Sequence, residues 1–209
     1  MLIYCCYTLF NILYYDICFI DGLLMLCQNE LAIQLSSNAS ITDCIVINSM
    51  LIAHTSPLDL INAISFLQDN NFCKFTTLIE IFAVDYPDIK MRFEVIYSLL
   101  SIKYNQRIWL KTMAEQHQSL NSIVKIFNAA NWFEREVFDM YGVKFNNHPY
   151  LQRILLENDF EGYPLRKDFP LSGNYEVGYS EIEKDVIKKP VYLEQSYRHL
   201  NQISPWNDQ

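Results

Sequence analysis

The fold is decided by residues 90–113, which read KMRFEVIYSLLSIKYNQRIWLKTM. Side chains alternate between the two faces of a β-strand, and apolar and polar residues alternate here in two successive runs. In the first run one face would carry Met91, Phe93, Val95, Tyr97 and Leu99, and the other face would carry Arg92, Glu94 and Ser98. In the second run one face would carry Ile108, Leu110 and Thr112, and the other face would carry Arg107, Trp109 and Lys111. With Asn105 and Gln106 at the reversal, the pattern predicts two antiparallel strands, packed on one face and wet or docked on the other.

The flanking segments extend this sheet and add helices. Residues 75–87, FTTLIEIFAVDYP, are a β-rich run halted by Pro87. Residues 56–71, SPLDLINAISFLQDNN, predict a helix that Ser56 caps, that has Pro57 at its first position and that ends at Asn70 and Asn71. In residues 119–128, SLNSIVKIFN, apolar side chains at helical spacing predict another helix: Leu120, Ile123, Val124, Phe127.

These elements predict an α+β fold, an antiparallel or mixed sheet with flanking helices, over residues 40–148. Residues 1–39 are an apolar N-terminal extension. Residues 149–209 contain too many prolines and glycines for a long helix, yet too many large apolar side chains for a free tail. We expect them to form an extended arm that binds a partner.

The first third of the chain, residues 1–73, contains no lysine or arginine. The net charge of the whole chain is −8. A surface that binds nucleic acid needs clustered basic residues, so this composition argues against such a partner. Asn11, Asp16 and Asp21 interrupt the apolar start, which favours burial against a partner over a membrane span. The start resembles neither a secretory signal nor a transit peptide, which suggests that an organellar protein with this start is made inside the organelle.

All six cysteines lie in this first third, and none forms a C-x-x-C pair: Cys5, Cys6, Cys18, Cys27, Cys44, Cys73. Without metal-ligand spacing or an export signal, buried free thiols are the expected state, although an even number leaves disulfides formally possible. We expect this chain to hold no metal.

Residues 131–173 combine carboxylates, arginines, aromatics and one histidine. Folding alone explains a helix at residues 131–141, with Asn131 and Glu134 as a capping box, Arg135 paired with Asp139, and Gly142 as its end. Its apolar face is expected to carry Phe133, Val137, Met140 and Tyr141. A metal-dependent hydrolase built on Glu136, Asp139 and His148 is the alternative, weakened because Arg135 competes for the carboxylates.

Three ungapped motifs in this stretch carry a resemblance to a known family. They are E-R-E-x-x-D-M-Y-G at 134–142, H-P-x-L-x-R-I-L at 148–155 and G-x-P-L-R-K-D-F-P-L at 162–171. Together they resemble the signature of the thirty-kilodalton subunit of respiratory complex I, the proton-pumping NADH:ubiquinone oxidoreductase. The resemblance extends over about residues 78–206, but Tyr197, His199 and Leu200 replace a usual Phe-rich segment. Residues 1–50 show no such resemblance.

The resemblance implies a non-catalytic core subunit of the quinone module in the hydrophilic arm, needed for assembly and for holding the redox subunits. This chain would hold no cofactor, and flavin and iron–sulfur clusters would lie in partner subunits. Its partners would be other complex I subunits, chiefly the quinone-module subunit related to nickel–iron hydrogenase large subunits, along which the C-terminal arm would run. The resemblance also implies a location on the matrix side of the mitochondrial inner membrane, where the chain would be peripheral to the lipid bilayer. A homologous scaffold subunit of a membrane-bound nickel–iron hydrogenase is the alternative. The residues that match the signature, expected to serve structure and interfaces, are Glu134, Arg135, Glu136, Asp139, Tyr141, Gly142, His148, Pro149, Arg153, Gly162, Pro164, Arg166, Lys167, Asp168 and Pro170.

Overall fold

A computed structural model describes residues 30–48 and 50–195 of the 209-residue chain. Most of the predicted N-terminal extension, with Cys5, Cys6, Cys18 and Cys27, lies outside the described residues, as does the C-terminal match beyond residue 195. The described residues divide into two compact units, of which the first ends at Asp168 and the second begins at Phe169. This division differs from the predicted one, because residues 149–168 belong to the first unit rather than to the arm.

The first unit is built on a five-stranded mixed sheet of order β1-β2-β5-β4-β3. Its strands are β1 (Asp43–Ile47), β2 (Met50–Thr55), β3 (Thr77–Asp85), β4 (Phe93–Ser101) and β5 (Gln106–Ala114). The β3–β4 and β4–β5 pairs are antiparallel, whereas β2 and β5 run parallel. The α+β fold and the strands predicted on both sides of Asn105 are therefore confirmed; Asn105 takes the left-handed conformation at their reversal.

Within the described residues, three helices accompany the sheet: α1 (residues 30–36), α2 (Leu60–Asp69) and α3 (Ala130–Tyr141). The predicted N-terminal signal of α2 forms one turn earlier than the helix itself, since Ser56 Oγ accepts a 3.2 Å bond from the Asp59 N–H. Asn70 ends α2 as predicted, donating its N–H to Phe66. In the part of the chain that the structure describes, no helix is long and apolar enough to cross a membrane.

One apolar core joins the helices to one face of the sheet. Its largest fully buried side chains include Leu35, Leu60, Ile64, Leu67, Phe93, Tyr97, Leu99, Ile108 and Leu110. The opposite face of β4 is less exposed to solvent than the alternation of apolar and polar residues predicts, because Glu94, Ile96 and Ser98 are also buried. Neighbouring side chains account for part of this cover: Lys111 contacts Glu94 at 3.3 Å.

The predicted helix at residues 119–128 is wrong. Strand β6 (Leu120–Asn121) pairs in parallel with β7 (Phe145–Asn146), and a turn follows it. The apolar spacing was nonetheless informative, since Leu120, Ile123 and Phe127 are all buried. Asn and Ser compete with helical hydrogen bonds, and the β6 backbone instead bonds the segment that follows α3.

The second unit contains an antiparallel hairpin of β8 (Tyr175–Ser180) and β9 (Asp185–Pro190). Its register puts Tyr175, Val177, Tyr179, Val186 and Pro190 on one face together with Lys188, and all five apolar side chains are exposed. A two-stranded hairpin is marginally stable by itself in water.

Candidate functional site

The signature residues concentrate on α3 and on the segment at residues 143–168 that follows it. Four side chains organise this region. Asp139, Asp85 and Arg166 make bonds that join the segment to α3 or to the sheet. Glu134 instead bonds the Ile123 N–H, in the loop before α3.

Asp139 is fully buried and receives four hydrogen bonds to its carboxylate. Arg153 Nη1 donates to Oδ1 at 2.7 Å, and the backbone N–H groups of Ile154, Leu155 and Leu156 donate to Oδ2 at 2.8–3.0 Å. Burial alone would raise the pKa of Asp139, but the Leu156 N–H, the Arg153 guanidinium and the other two N–H groups together lower it. The carboxylate thus holds residues 153–156, in the middle of the segment, against α3.

The predicted pairing of Arg135 with Asp139 is wrong. Arg135 instead donates to the carbonyl oxygens of Gln152 and Arg153, at 3.1 and 3.2 Å. Its guanidinium also lies over the rings of Trp132 and Tyr150, at 5.4 and 5.6 Å. Helical spacing puts Arg135 and Asp139 on the same side of α3, but the arginine that binds Asp139 is Arg153, from outside the helix.

A second buried carboxylate, Asp85, stands at the end of β3. Arg92 binds it through two nitrogens, at 2.7 and 2.9 Å, and the Lys167 N–H donates to it at 2.8 Å. The Arg92 hydrogen bond is the main reason that the pKa of Asp85 is lowered. Arg92 also forms a 3.0 Å ion pair with Asp168. Asp85 therefore holds the end of the segment at Lys167, which lies 82 positions after Asp85 in the sequence.

Arg166 packs against the end of α3. Its Nε donates to the Tyr141 carbonyl at 2.6 Å, and its guanidinium lies over the rings of Tyr163 and Phe93, at 4.3 and 5.2 Å. Gly142 ends the helix as predicted, with φ of 77°. A Cβ at Gly142 would lie 2.5 Å from Arg166 Nη2, so glycine is needed here for both its conformation and its size.

Glu134 does not cap α3, which begins at Ala130 without a side-chain cap. It is fully buried and accepts a 2.8 Å bond from the Ile123 N–H. Burial raises its pKa to about 7 and is the main cause that lowers the pKa of His148, 3.9 Å away. His148 Nδ1 accepts from the Tyr150 N–H, so a neutral ring donates from Nε2 to the Asn131 carbonyl. The pair is held by hydrogen bonds to backbone rather than by opposite charge.

The residues of the metal-site alternative do not share a site. Glu136 is exposed, whereas Asp139 is buried on the helix and its oxygens are occupied by donors from Arg153 and the following backbone. His148 directs both ring nitrogens to backbone groups. Over residues 30–48 and 50–195, no three His, Cys, Asp or Glu side chains stand together as metal ligands would.

The remaining signature residues have varied surroundings. Gly162 accepts a bond from Arg153 through its carbonyl at 3.1 Å, and Tyr141 packs partly buried against the core. Pro149 is exposed and Pro164 half-buried, while Pro170 lies in the second unit. On α3 the predicted apolar face is only partly right, because Val137 is buried while Met140 remains half-exposed.

Cys44 and Cys73 are the cysteines that the described residues include, and both are free thiols. Burial raises the pKa of each to about 11. A thiol with so high a pKa is a poor nucleophile at neutral pH.

Sequence reasoning missed Asp85, Arg92, Phe93 and Tyr163 as members of this region. Asp85 and Arg92 flank the connection between β3 and β4, and a β-turn offers no periodicity that would reveal a buried ion pair. The sequence did contain one indication of this ion pair: a carboxylate, Asp85, and a guanidinium, Arg92, stand at the two ends of one short connection between strands.

Comparisons with known proteins place this fold and these motifs in a family. The model of the family described as "Respiratory-chain NADH dehydrogenase, 30 Kd subunit" matches residues 53–175. The chain is 50% identical to a subunit of the NADH-quinone oxidoreductase of Hyphomonas neptunium over 147 residues, which cover 70% of this chain and 73% of that one. It is also 50% identical to NADH dehydrogenase [ubiquinone] iron-sulfur protein 3 of Patellifolia webbiana over 147 residues, covering 70% and 77%.

A solved structure shares the fold at lower sequence similarity. The structure of the membrane-bound sulfane sulfur reductase, an archaeal respiratory membrane complex, contains a chain that matches with a TM-score of 0.60 and 23% identity. The match covers 68% of this chain and 85% of that chain. With a family model that covers more than half of the sequence and relatives at 50% identity, the chain belongs to the family of the 30 kDa subunit of respiratory-chain NADH dehydrogenase.

Proposed function

We propose that this chain is a non-catalytic core subunit of the quinone module in proton-pumping NADH:ubiquinone oxidoreductase, needed for assembly and for holding the redox subunits. One observation carries the proposal: the buried carboxylates of this region are enclosed within the chain, and those of Asp139 and Asp85 are occupied by several bonds. Asp139 accepts four bonds, Asp85 accepts from Arg92 and Lys167, and Glu134 is sealed from solvent. A catalytic carboxylate needs access to substrate, and these have none.

The identity of the relatives favours this complex over the hydrogenase alternative. Relatives at half identity are named as subunits of NADH-quinone oxidoreductase or NADH dehydrogenase. The same complex would place the chain on the matrix side of the mitochondrial inner membrane, peripheral to lipid. Flavin and iron–sulfur clusters would belong to partner subunits, and the chain itself would hold none.

The hairpin of the second unit supports a docking role. Its apolar face exposes Tyr175, Val177 and Tyr179 by 58%, 62% and 65%. A marginally stable hairpin with such a face gains stability when another protein covers it. The partner proposed for this surface is the quinone-module subunit related to nickel–iron hydrogenase large subunits.

Purification of the complex tests the proposal. A tag on this chain should retain NADH:ubiquinone oxidoreductase activity together with the flavin and iron–sulfur subunits. The iron content per complex should be unchanged when Cys44 and Cys73 are both replaced by serine. Iron lost in proportion to this chain, or a set of hydrogenase subunits in place of the NADH-oxidising ones, would contradict the proposal.

A further inference from the structure

A cleft of about 300 Å³ opens at the C-terminal end of α3, beside the region described above. Its polar lining consists of Gln116, His117, Gln118, Lys144, Tyr163 and Arg166. Lys144 and Arg166 are cationic, the two glutamines carry amide donors, and none of the described lining residues is acidic. In a chain of net charge −8, this concentrates positive charge at one small concave site.

Arg166 has no ion-pair partner among the described residues. Burial lowers the pKa of Arg166, and so does the charge of Arg92, while Asp85 and Asp168 offset part of this effect. Both of those carboxylates are bound by Arg92. The guanidinium in the cleft wall is therefore a partly desolvated cation whose charge is not fully compensated within the chain, and such a group favours a carboxylate partner.

We propose that this cleft receives an acidic side chain or the C-terminal carboxylate of a neighbouring subunit, with Arg166 at its base and Lys144 at its rim. The inference rests on the proposed function, because it assumes that the chain is assembled into a complex. Charge complementarity selects the occupant: planar guanidinium and amide donors match a carboxylate. A volume near 300 Å³ admits such a side chain with its flanking backbone.

Zero-length cross-linking of the purified complex tests the cleft. A carbodiimide joins a lysine amine to a carboxylate that touches it, so Lys144 should form an amide with an Asp, a Glu or a C-terminus of another subunit. Mass spectrometry of the digested complex identifies the pair. Cross-links from Lys144 only to carboxylates of this chain, or none while Lys125 and Lys103 react, would overturn the proposal. If the tagged chain brings down no complex at all, the proposed function fails instead.

A matched pair of charge reversals gives a second measurement. Lys144→Glu and Lys125→Glu change the net charge equally at exposed positions, and only the first lies in the cleft. We expect Lys144→Glu to reduce the chain incorporated into the complex by about tenfold, because a like charge would then face the partner carboxylate, and Lys125→Glu to leave it unchanged. Equal incorporation of the two variants would refute the proposal.

A free small anion is the competing occupant. Calorimetric titration of the purified chain with inorganic phosphate detects it. Phosphate binding that Lys144→Glu abolishes, with assembly unaffected, would assign the cleft to a small anion and overturn the docking proposal.

Discussion

Arg153 Nη1 lies 2.7 Å from Asp139 Oδ1, so the buried carboxylate of α3 is bound by an arginine from the segment at residues 143–168. We predict that Asp139→Asn lowers the free energy of unfolding by about 3–5 kcal/mol, because it leaves Arg153 without its carboxylate in a buried setting. Urea unfolding of the purified chain measures this change.

Glu136→Gln is the control for that substitution. It removes a carboxylate from the same helix at an exposed position, so its effect should stay within about 0.5 kcal/mol. Equal effects of the two substitutions would mean that helix charge, rather than the bond to Arg153, matters at Asp139.

The buried Glu134 predicts a specific dependence of stability on pH. Its pKa rises from 4.5 to about 7 on folding, so the folded chain binds this proton more tightly than the unfolded chain does. The resulting stability is fully present below about pH 4.5 and is lost as the pH rises through 7. Glu134→Gln stays neutral and keeps an acceptor for the Ile123 N–H, so at pH 8 it should be more stable than the unaltered chain by about 1–3 kcal/mol.

Urea unfolding of both proteins at pH 5 and pH 8 checks this prediction. The lowered pKa of His148 gives the opposite slope, with stability present above its ordinary pKa and lost as the pH falls. Because His148 is present in both proteins, their difference reports chiefly on Glu134. Parallel pH profiles would show that Glu134 is ionised in the folded chain at neutral pH.

Gly142 and Gly173 separate two reasons for glycine. Both have positive φ, of 77° and 73°, but a Cβ would meet Arg166 and Tyr163 within 2.6 Å at Gly142, whereas at Gly173 it would make only an ordinary contact with the Tyr175 carbonyl oxygen at 3.9 Å. Gly173→Ala should cost about 1 kcal/mol for conformation alone, and Gly142→Ala should cost about 1–3 kcal/mol more from overpacking. Thermal unfolding of the two variants measures the difference; equal losses would mean that Arg166 and Tyr163 move aside freely.

The sequence predicted what depends on local repetition and missed what depends on distant contacts. Alternation from Phe93 to Met113 was sufficient for two central strands, since a period of two is satisfied by burial on one face. It could not reveal the parallel β2–β5 pairing, which no turn specifies. On α3, helical spacing suggested Asp139 as the partner of Arg135, but a closer donor came from Arg153, in a segment that was predicted to bind another protein.

The bonds to Asp139 and Asp85 determine how far the chain can be truncated from its C-terminus while the first unit still folds. A chain ending at Asp168 keeps every donor to Asp139 and the Lys167 N–H that binds Asp85, whereas a chain ending at Tyr150 loses them all. Two buried carboxylates without these donors cost several kcal/mol, comparable to the whole stability of a domain of this size.

We therefore predict that the chain ending at Asp168 shows cooperative unfolding by circular dichroism, and that the chain ending at Tyr150 is unfolded or digested rapidly by protease. The longer chain should nevertheless fail to enter the complex, because it lacks the hairpin with its exposed apolar face. A folded chain ending at Tyr150 would show that the segment after α3 is an arm for a partner rather than part of the domain. Incorporation of the chain ending at Asp168 would show that the second unit is dispensable for assembly.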